Sequence, residues 1–295
     1  MIDRSHPPHL AFLTIADMGG YISDDTLAAN DLRRRGARVT FLPWDSDPDW
    51  TLFDLVVIRT TWDYQERPWQ FLAVLRTIEA LGVPLHNGSA VAAWNMRKTY
   101  LRDLATAGVP IVPSHFLPAL HEIEQLAALV AACASEEVIL KPQVGASAID
   151  TFRLRPADLP SRWPDLQRAF ATRPLLVQPF LPRVLSEGEY SLIYLDGAFS
   201  HALLKTPQPG DFRSQEEYGG VITAVSPPPD LLAVSDHALA VAGEGLLYGR
   251  VDLVRDAAGA PRLMELELIE PALYLRTDPA APGRFAAAVL SRLPR

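Results

Sequence analysis

The chain has 295 residues, of which 48% are apolar, so it can bury one large core or two to three compact lobes. Its net charge of −8 and its single cysteine, Cys133, disfavour non-specific nucleic-acid binding and exclude an intrachain disulfide framework. No apolar run approaches the roughly 20 residues of a membrane helix, and residues 1–8 lack an apolar signal-peptide core, so we expect a cytoplasmic protein without a membrane partner.

The first 90 residues alternate apolar runs with amphipathic segments. Strands are predicted at residues 9–15, 37–42, 54–59 and 83–86, and helices at residues 23–35 and 68–81. Strands joined through helices run parallel. Residues 1–90 are therefore predicted to form an open α/β domain.

A polar and aromatic segment follows the third of these strands and contains Arg59, Trp62, Asp63 and Tyr64. Ligands of open α/β sheets bind beyond the carboxyl ends of the strands. Arg59 could bind a carboxylate in a forked geometry, and the other three could shape a pocket for a small amphoteric substrate. The alternative is a surface loop with an aromatic ring packed beneath it. No glycine-rich dinucleotide or P-loop motif occurs here, so the domain is predicted to hold substrate rather than nucleotide.

Residues 91–180 predict a second compact α/β unit. A helix from Trp94, carrying Lys98, is expected to end at Gly108. Further strands are predicted at residues 114–117, 138–141, 149–154 and 174–179, and helices at residues 119–134 and 160–171. The loop at residues 141–148 has small side chains that allow backbone amides to approach an anion. A plain turn would have a similar sequence.

Residues 181–295 contain a predicted hairpin of strands 189–195 and 198–205, followed by a loop at 206–220 that is too long for a simple connection. We expect a lid over bound phosphates, with Lys205 and Arg213 supplying positive charge. The alternative is a floppy insertion. Helices are predicted at residues 230–243 and 282–293.

A second hairpin within residues 248–274 concentrates charge. Period-2 alternation places Arg250 and Asp252 on one face of its first strand, and Glu265 and Glu267 on one face of its second. If these faces coincide, the carboxylates require a cation between them, and hard oxygen ligands suit Mg²⁺ or Mn²⁺ together with a polyphosphate. The alternative is that these charges mark the solvent face of an edge strand.

The hairpin resembles the metal-binding strands of ATP-grasp ligases, the superfamily of glutathione synthetases and D-alanine:D-alanine ligases. Its members carry Arg-x-Asp on one strand and Glu-x-Asn on the next; here Glu267 stands where asparagine is usual. The resemblance implies an α/β fold in which the N-terminal domain is followed by two α+β ATP-grasp subdomains, at residues 91–180 and 181–295. It also implies ATP and Mg²⁺, with Asp252, Glu265 and Glu267 holding the metal and Arg250 meeting the transferring phosphate.

The resemblance extends to other segments. Two lysines are similar to the family's phosphate-binding lysines. One is Lys98, in the pattern Lys98-x₅-Leu before Gly-Val-Pro, and the other is Lys141 at a strand end. Residues 175–181 resemble the adenine-binding connector, and Gly188-Glu189 the ribose-binding segment, for which Glu187 is the nearby alternative. The implied nucleotide-binding residues are Lys98, Lys141, Gln178, Phe180, Leu181 and Glu189. Two further segments, 210–220 and 265–274, are similar to the corresponding sequences of the D-cycloserine synthetase branch. The second segment ends in Tyr274, a further candidate for substrate binding.

The expected function is ATP-dependent activation of a small carboxylate or amino-acid-like substrate as an acyl phosphate, which an amine attacks to give an amide, ADP and phosphate. A second hypothesis is intramolecular cyclisation of one amino-acid-like substrate, as in the D-cycloserine synthetase branch. A third is a nucleotide-binding module without catalysis. A homodimer, the commonest soluble assembly, is left open.

Overall fold

The computed structural model describes residues 6–19 and 21–294, and in this part of the chain three β-sheets form, each with helices on at least one face. Residues 1–5, part of the segment on which the signal-peptide expectation rests, lie outside the described residues. Among the helices described, none is long and apolar enough to cross a membrane.

The N-terminal sheet is parallel throughout, with strand order β2-β1-β3-β4. Its elements are β1 (His9–Thr14), α1 (Asp25–Arg34), β2 (Arg38–Pro43), β3 (Leu55–Thr60), α2 (Pro68–Ala80) and β4 (Leu85–His86). Every residue of β3 is buried, as expected for a parallel strand that is covered on both faces. The parallel arrangement predicted from the alternation of strands and helices is confirmed.

The second sheet is antiparallel, with strand order β5-β8-β6-β7. The elements of this region are α3 (Ser89–Asn95), α4 (Tyr100–Thr106), β5 (His115–Leu117), α5 (Ile123–Ala132), β6 (Val138–Pro142), β7 (Phe152–Leu154), α6 (Leu159–Phe170) and β8 (Leu175–Pro179). In β6, Val138 and Leu140 pack into the core beneath α5 and α6. Ile139 and Lys141 alternate with them and face the cavity described below.

Two predicted elements of this region were wrong. The helix predicted from Trp94 is interrupted between α3 and α4, where the Lys98 backbone N–H donates to Gln143 O at 2.8 Å rather than continuing a helix. The strand predicted at 149–154 begins only at Phe152. Ser147, Ala148 and Asp150 have φ angles of 51°, 52° and 53°, which an extended strand cannot accommodate.

The third sheet is antiparallel, with order β11-β10-β9-β12-β13. Its region contains α7 (Arg183–Ser186), β9 (Glu189–Leu195), β10 (Ala198–Thr206), β11 (Val221–Val225), α8 (Pro229–Ala242), β12 (Tyr248–Arg255), β13 (Pro261–Glu267) and α9 (Ala281–Ser291). The half-exposed strand β11 was missed by the sequence predictions. The C-terminal helix α9 reaches the N-terminal sheet, where the Phe285 and Phe12 rings meet edge to face at 6.2 Å.

Candidate active site

The principal cavity of the described residues is lined by the second and third sheet regions and by loops that follow strands of the N-terminal sheet. Of the predicted site residues, it is lined by Trp62, Tyr64, Lys98, Lys141, Gln178, Phe180, Leu181, Glu189, Lys205, Arg213, Arg250, Asp252, Glu265, Glu267 and Tyr274. Side chains that the sequence spreads over more than 200 positions therefore share one space.

The charged hairpin is formed by β12 and β13, and its register decides how the charges meet. Asp252 is the cross-strand partner of Glu265, and Arg250 that of Glu267, so all four side chains lie on one face. Arg250 and Asp252 are only 8% and 2% exposed. The alternative that these charges mark a solvent-exposed face is wrong, because Arg250 and Asp252 are buried and all four side chains line the cavity, although β13 is the edge strand of the sheet.

Each carboxylate of the hairpin is in contact with a protein cation. Arg250 Nη2 lies 3.1 Å from Asp252 Oδ2 and also donates to Glu267. Lys141 Nζ lies 2.6 Å from Glu265 Oε1. Although burial alone would raise the pKa of Glu265, Lys141 and Lys98 lower it to about 2. The lysines predicted to hold phosphates thus already lie beside the predicted metal ligands.

Two further contacts position cations at this centre. Lys98 Nζ donates to Gly145 O at 2.8 Å and lies 3.8 Å from Glu265 Oε1, so the break between α3 and α4 brings it to the 141–148 loop. Lys205, buried on β10, pairs with Glu189 and lies 3.5 Å from Asp252 Oδ1. These acids raise its pKa against the effect of burial.

The donor set fits Mg²⁺ or Mn²⁺ in chemistry, although no three His, Cys, Asp or Glu side chains among the described residues are already arranged as a metal site. Burial, together with repulsion from Asp252 and Glu265, raises the pKa of Glu267 to about 7 despite its contact with Arg250. The negative charge is therefore incompletely compensated by the protein. Asp252, Glu265 and Glu267 would hold the metal once Lys98 and Lys141 turn from Glu265 towards phosphate.

An apolar part of the cavity lies beside the charged centre, where the residues following β8 meet β6, β12 and β13. Phe180 forms part of a buried cluster with Val112 and Val184, and Leu181 packs against it. The buried Gln178 amide donates to Ser114 Oγ at 2.9 Å, which fixes its orientation. Such a pocket suits a flat aromatic ring, in line with the adenine prediction for these residues.

The N-terminal domain contributes Trp62 and Tyr64 to the cavity, whereas Arg59 and Asp63 do not line it. Arg59 is buried, and it donates to Asp25 Oδ1 at 2.9 Å and to Pro271 O at 3.1 Å. Asp63 accepts a hydrogen bond from Trp44 Nε1. Both side chains thus have structural partners.

The 206–220 loop lies over the cavity and contacts its surroundings. The Tyr218 hydroxyl donates to Ser147 O at 2.9 Å, joining the loop to the 141–148 segment. Arg276 pairs with Glu216 and also with Asp24 of the N-terminal domain. Arg213 lines the cavity and is held by Asp211 at 2.7 Å. The floppy-insertion alternative does not describe this loop.

The polar residues of the site that the sequence reasoning missed include Ser191 and Glu270. Ser191, wholly buried on β9, donates to Asp252 and orients its carboxylate. Glu270 lines the cavity three residues beyond Glu267. The signal available in the sequence was its place just after the strand that carries Glu265 and Glu267.

Comparison with known proteins places the chain in a family. Residues 10–87 match the family described as the N-terminal domain of D-cycloserine synthetase DcsG. The chain is 32% identical over 265 residues to the cycloserine biosynthesis protein DcsG of Streptomyces lavendulae, an overlap that covers 84% of this chain and 86% of the relative.

Solved structures agree. The crystal structure of D-cycloserine synthetase DcsG superposes with a TM-score of 0.87 at 29% identity, covering 97% of this chain and all of the other. A D-alanine–D-alanine ligase from Bacillus anthracis shares the fold, with a TM-score of 0.68 at 15% identity, covering 97% of this chain and 95% of the ligase. The predicted α/β ATP-grasp fold is confirmed. The chain is a carbon–nitrogen ligase that belongs to the D-cycloserine synthetase branch of the ATP-grasp superfamily.

Proposed function

We propose that the protein uses ATP to activate the carboxylate of an amino-acid-like substrate, and that a nitrogen of the same molecule then closes a ring on the activated carbon. The observation that carries the proposal is the convergence of Lys98, Lys141 and Arg250 with three carboxylates in one cavity. Trp62 and Tyr64 of the N-terminal domain also line the cavity, and these two side chains would bind the substrate. The relative named as a D-cycloserine synthetase supports cyclisation over ligation of two substrates.

The proposed reaction has two steps. A substrate carboxylate oxygen attacks the γ-phosphorus of ATP, the bond to the bridging oxygen breaks, and ADP leaves with its electron pair. The substrate nitrogen then attacks the acyl phosphate carbon, phosphate leaves, and the nitrogen loses a proton. D-cycloserine contains an amide bond between its former carboxyl carbon and a ring nitrogen, so a molecule with both groups could form such a ring.

The residues of the cavity have distinct tasks in this proposal. Lys98 and Lys141 would turn from Glu265 to the phosphate oxygens and stabilise the charge that moves during transfer. Arg250, held between Asp252 and Glu267, would face the oxyanion of the tetrahedral intermediate. Mg²⁺ bound by Asp252, Glu265 and Glu267 would spread the charge of the phosphates.

Product analysis tests the proposal directly. The protein is incubated with ATP, Mg²⁺ and β-aminooxy-D-alanine, which carries a carboxylate and a nucleophilic nitrogen in one molecule, and ADP and products are measured by chromatography and mass spectrometry. We expect ADP and a product lighter than the substrate by one water. A product containing two substrate molecules would instead identify an intermolecular ligase. No ADP release with this compound or with a panel of amino acids and amines would contradict both.

A further inference from the structure

Glu270 is an acidic residue of the cavity to which the proposed mechanism gives no task. Its Oε1 accepts a hydrogen bond from Gln65 Nε2 at 3.1 Å, and its backbone carbonyl accepts one from Trp62 Nε1 at 2.8 Å. The Tyr64 hydroxyl interacts with the same carboxyl group. These contacts hold Glu270 against the N-terminal domain, at the end of the cavity predicted to receive substrate.

Glu270 differs from the acids of the charged centre in its lack of a cationic partner. Asp252, Glu189, Glu265 and Glu267 each contact an arginine or lysine. Within residues 6–19 and 21–294, no such ion pair involves Glu270, whose hydrogen-bond partners are neutral. Burial and the nearby Glu267 raise its pKa to about 8, although Lys98 acts in the opposite direction.

The wall around Glu270 is aromatic. Trp62 and Tyr64 line the cavity together with Tyr21, whose ring meets that of Trp62 edge to face at 5.2 Å. A carboxylate surrounded by aromatic rings is suited to an organic cation, through a charge-assisted hydrogen bond and through attraction to the ring faces. Glu270 also follows Glu267 by three residues, so a cation bound there would lie near the reaction centre.

We propose that Glu270 binds the ammonium group of the substrate and thereby selects an amino acid over a carboxylic acid that lacks the amine. The inference rests on the proposed function, whose substrate class it specifies. The carboxylate of such a zwitterion could then extend towards Arg250, while its ammonium stays at Glu270.

Two compounds that differ by one amine test this assignment. D-cycloserine and its deamino counterpart isoxazolidin-3-one are titrated calorimetrically into the protein with Mg²⁺ and ADP. We expect the wild type to bind D-cycloserine at least about tenfold more tightly, because a hydrogen bond to a charged group is lost with the amine. Glu270→Gln should bind both compounds with similar affinity, while its affinity for Mg²⁺ and AMP-PNP stays unchanged.

Controls separate recognition from folding and from metal binding. Glu66→Gln removes an acid next to Gln65 that does not line the cavity, and it should preserve the preference. Glu270→Asp keeps the charge with a shorter reach, and it should weaken D-cycloserine binding at least about threefold without affecting the deamino compound. It provides the test if the glutamine variant fails to fold.

Several results would overturn the assignment. One is that the wild type does not bind D-cycloserine, or binds it no more tightly than the deamino compound. Another is that Glu270→Gln still prefers D-cycloserine. A third is a tenfold loss of AMP-PNP affinity in Glu270→Gln, which would indicate a metal-binding role. The proposed reaction can fail separately. If Glu270→Gln loses the preference for D-cycloserine but the wild type shows no turnover, the assignment of Glu270 stands and only the proposed cyclisation is contradicted.

Discussion

In the proposed mechanism Arg250 stabilises developing charge, and in the structure it links Asp252 to Glu267 while itself only 8% exposed. Removing its guanidinium takes away the stabilisation of developing negative charge, so Arg250→Ala should lower kcat by about 100-fold or more. ADP release in a coupled assay measures this. Arg255→Ala is the matched control on the same strand, since Arg255 pairs with Asp230 outside the cavity. Equal losses in both variants would contradict a specific role.

The charge state of Glu267 should be visible in the stability of the protein. Its pKa is raised to about 7 from an ordinary value of 4.5, so the folded state retains the proton that the unfolded state loses. The free energy of unfolding without metal should therefore fall as the pH rises through this interval, and this group should cause no further loss above it.

Mg²⁺ binds the carboxylate form, so stabilisation by Mg²⁺ with ADP should increase over the same interval. Thermal melts at about pH 5.5 and about pH 8, with and without Mg²⁺, measure the difference. Glu267→Gln should reduce the pH dependence, leaving the part due to Glu270, whose pKa is also raised. Equal Mg²⁺ stabilisation at both pH values would show that Glu267 does not hold the metal.

At the scale of elements, the 206–220 loop depends on a close backbone approach at Gly220. A Cβ added there would lie 2.2 Å from Ser214 O, a contact that only a rearranged loop could relieve. Gly220→Ala should therefore prevent the loop from covering the cavity and lower kcat at least about tenfold, as expected when a lid cannot exclude water.

Gly210→Ala provides the comparison within the same loop. Its φ of +90° makes alanine unfavourable, but no atom lies within 4 Å of the added Cβ, so a smaller loss of turnover is expected. Steady-state kinetics with both variants measures the difference. If the Gly220 variant keeps wild-type kcat, the loop does not act as a lid.

The predictions for individual elements succeeded where local pattern was sufficient. Alternation along β12 correctly placed Arg250 and Asp252 on one face, and that face lines the cavity. The interruption before α4 was not predictable in the same way. It depends on a hydrogen bond from Lys98 to Gln143 in another element, and residue propensities do not record such a partner.

At the scale of the whole molecule, a buried ion pair joins distant parts of the chain. Arg59 of β3 pairs with Asp25 of α1 and donates to Pro271 O, just beyond the charged hairpin of β12 and β13. Asp25→Asn would leave the arginine charge buried without its partner, which should lower the free energy of unfolding by about 3–5 kcal/mol.

Chemical denaturation measures this loss. The control is Asp45→Asn, which removes one of the two acidic partners of Arg67 at the surface and should cost less than about 1 kcal/mol. Similar losses in both variants would show that the Asp25–Arg59 pair contributes no more than a surface contact. Retained stability, with impaired substrate binding, would instead support the original prediction that Arg59 serves the substrate.

The sequence by itself determined the parallel N-terminal sheet, the ATP-grasp resemblance and the pairing of charges along each strand, Arg250 with Asp252 and Glu265 with Glu267, since these follow from short-range periodicity and motif spacing. The register between the two strands, which the folded sheet sets, decided that the two charged faces coincide. Only the tertiary structure decided that Arg59 faces Asp25, that α9 packs on the N-terminal sheet, and that Glu270 meets Gln65. The physical reason is that each of these contacts joins side chains from elements far apart in the chain. Their partners are chosen by packing and charge in the folded state, which local patterns do not encode.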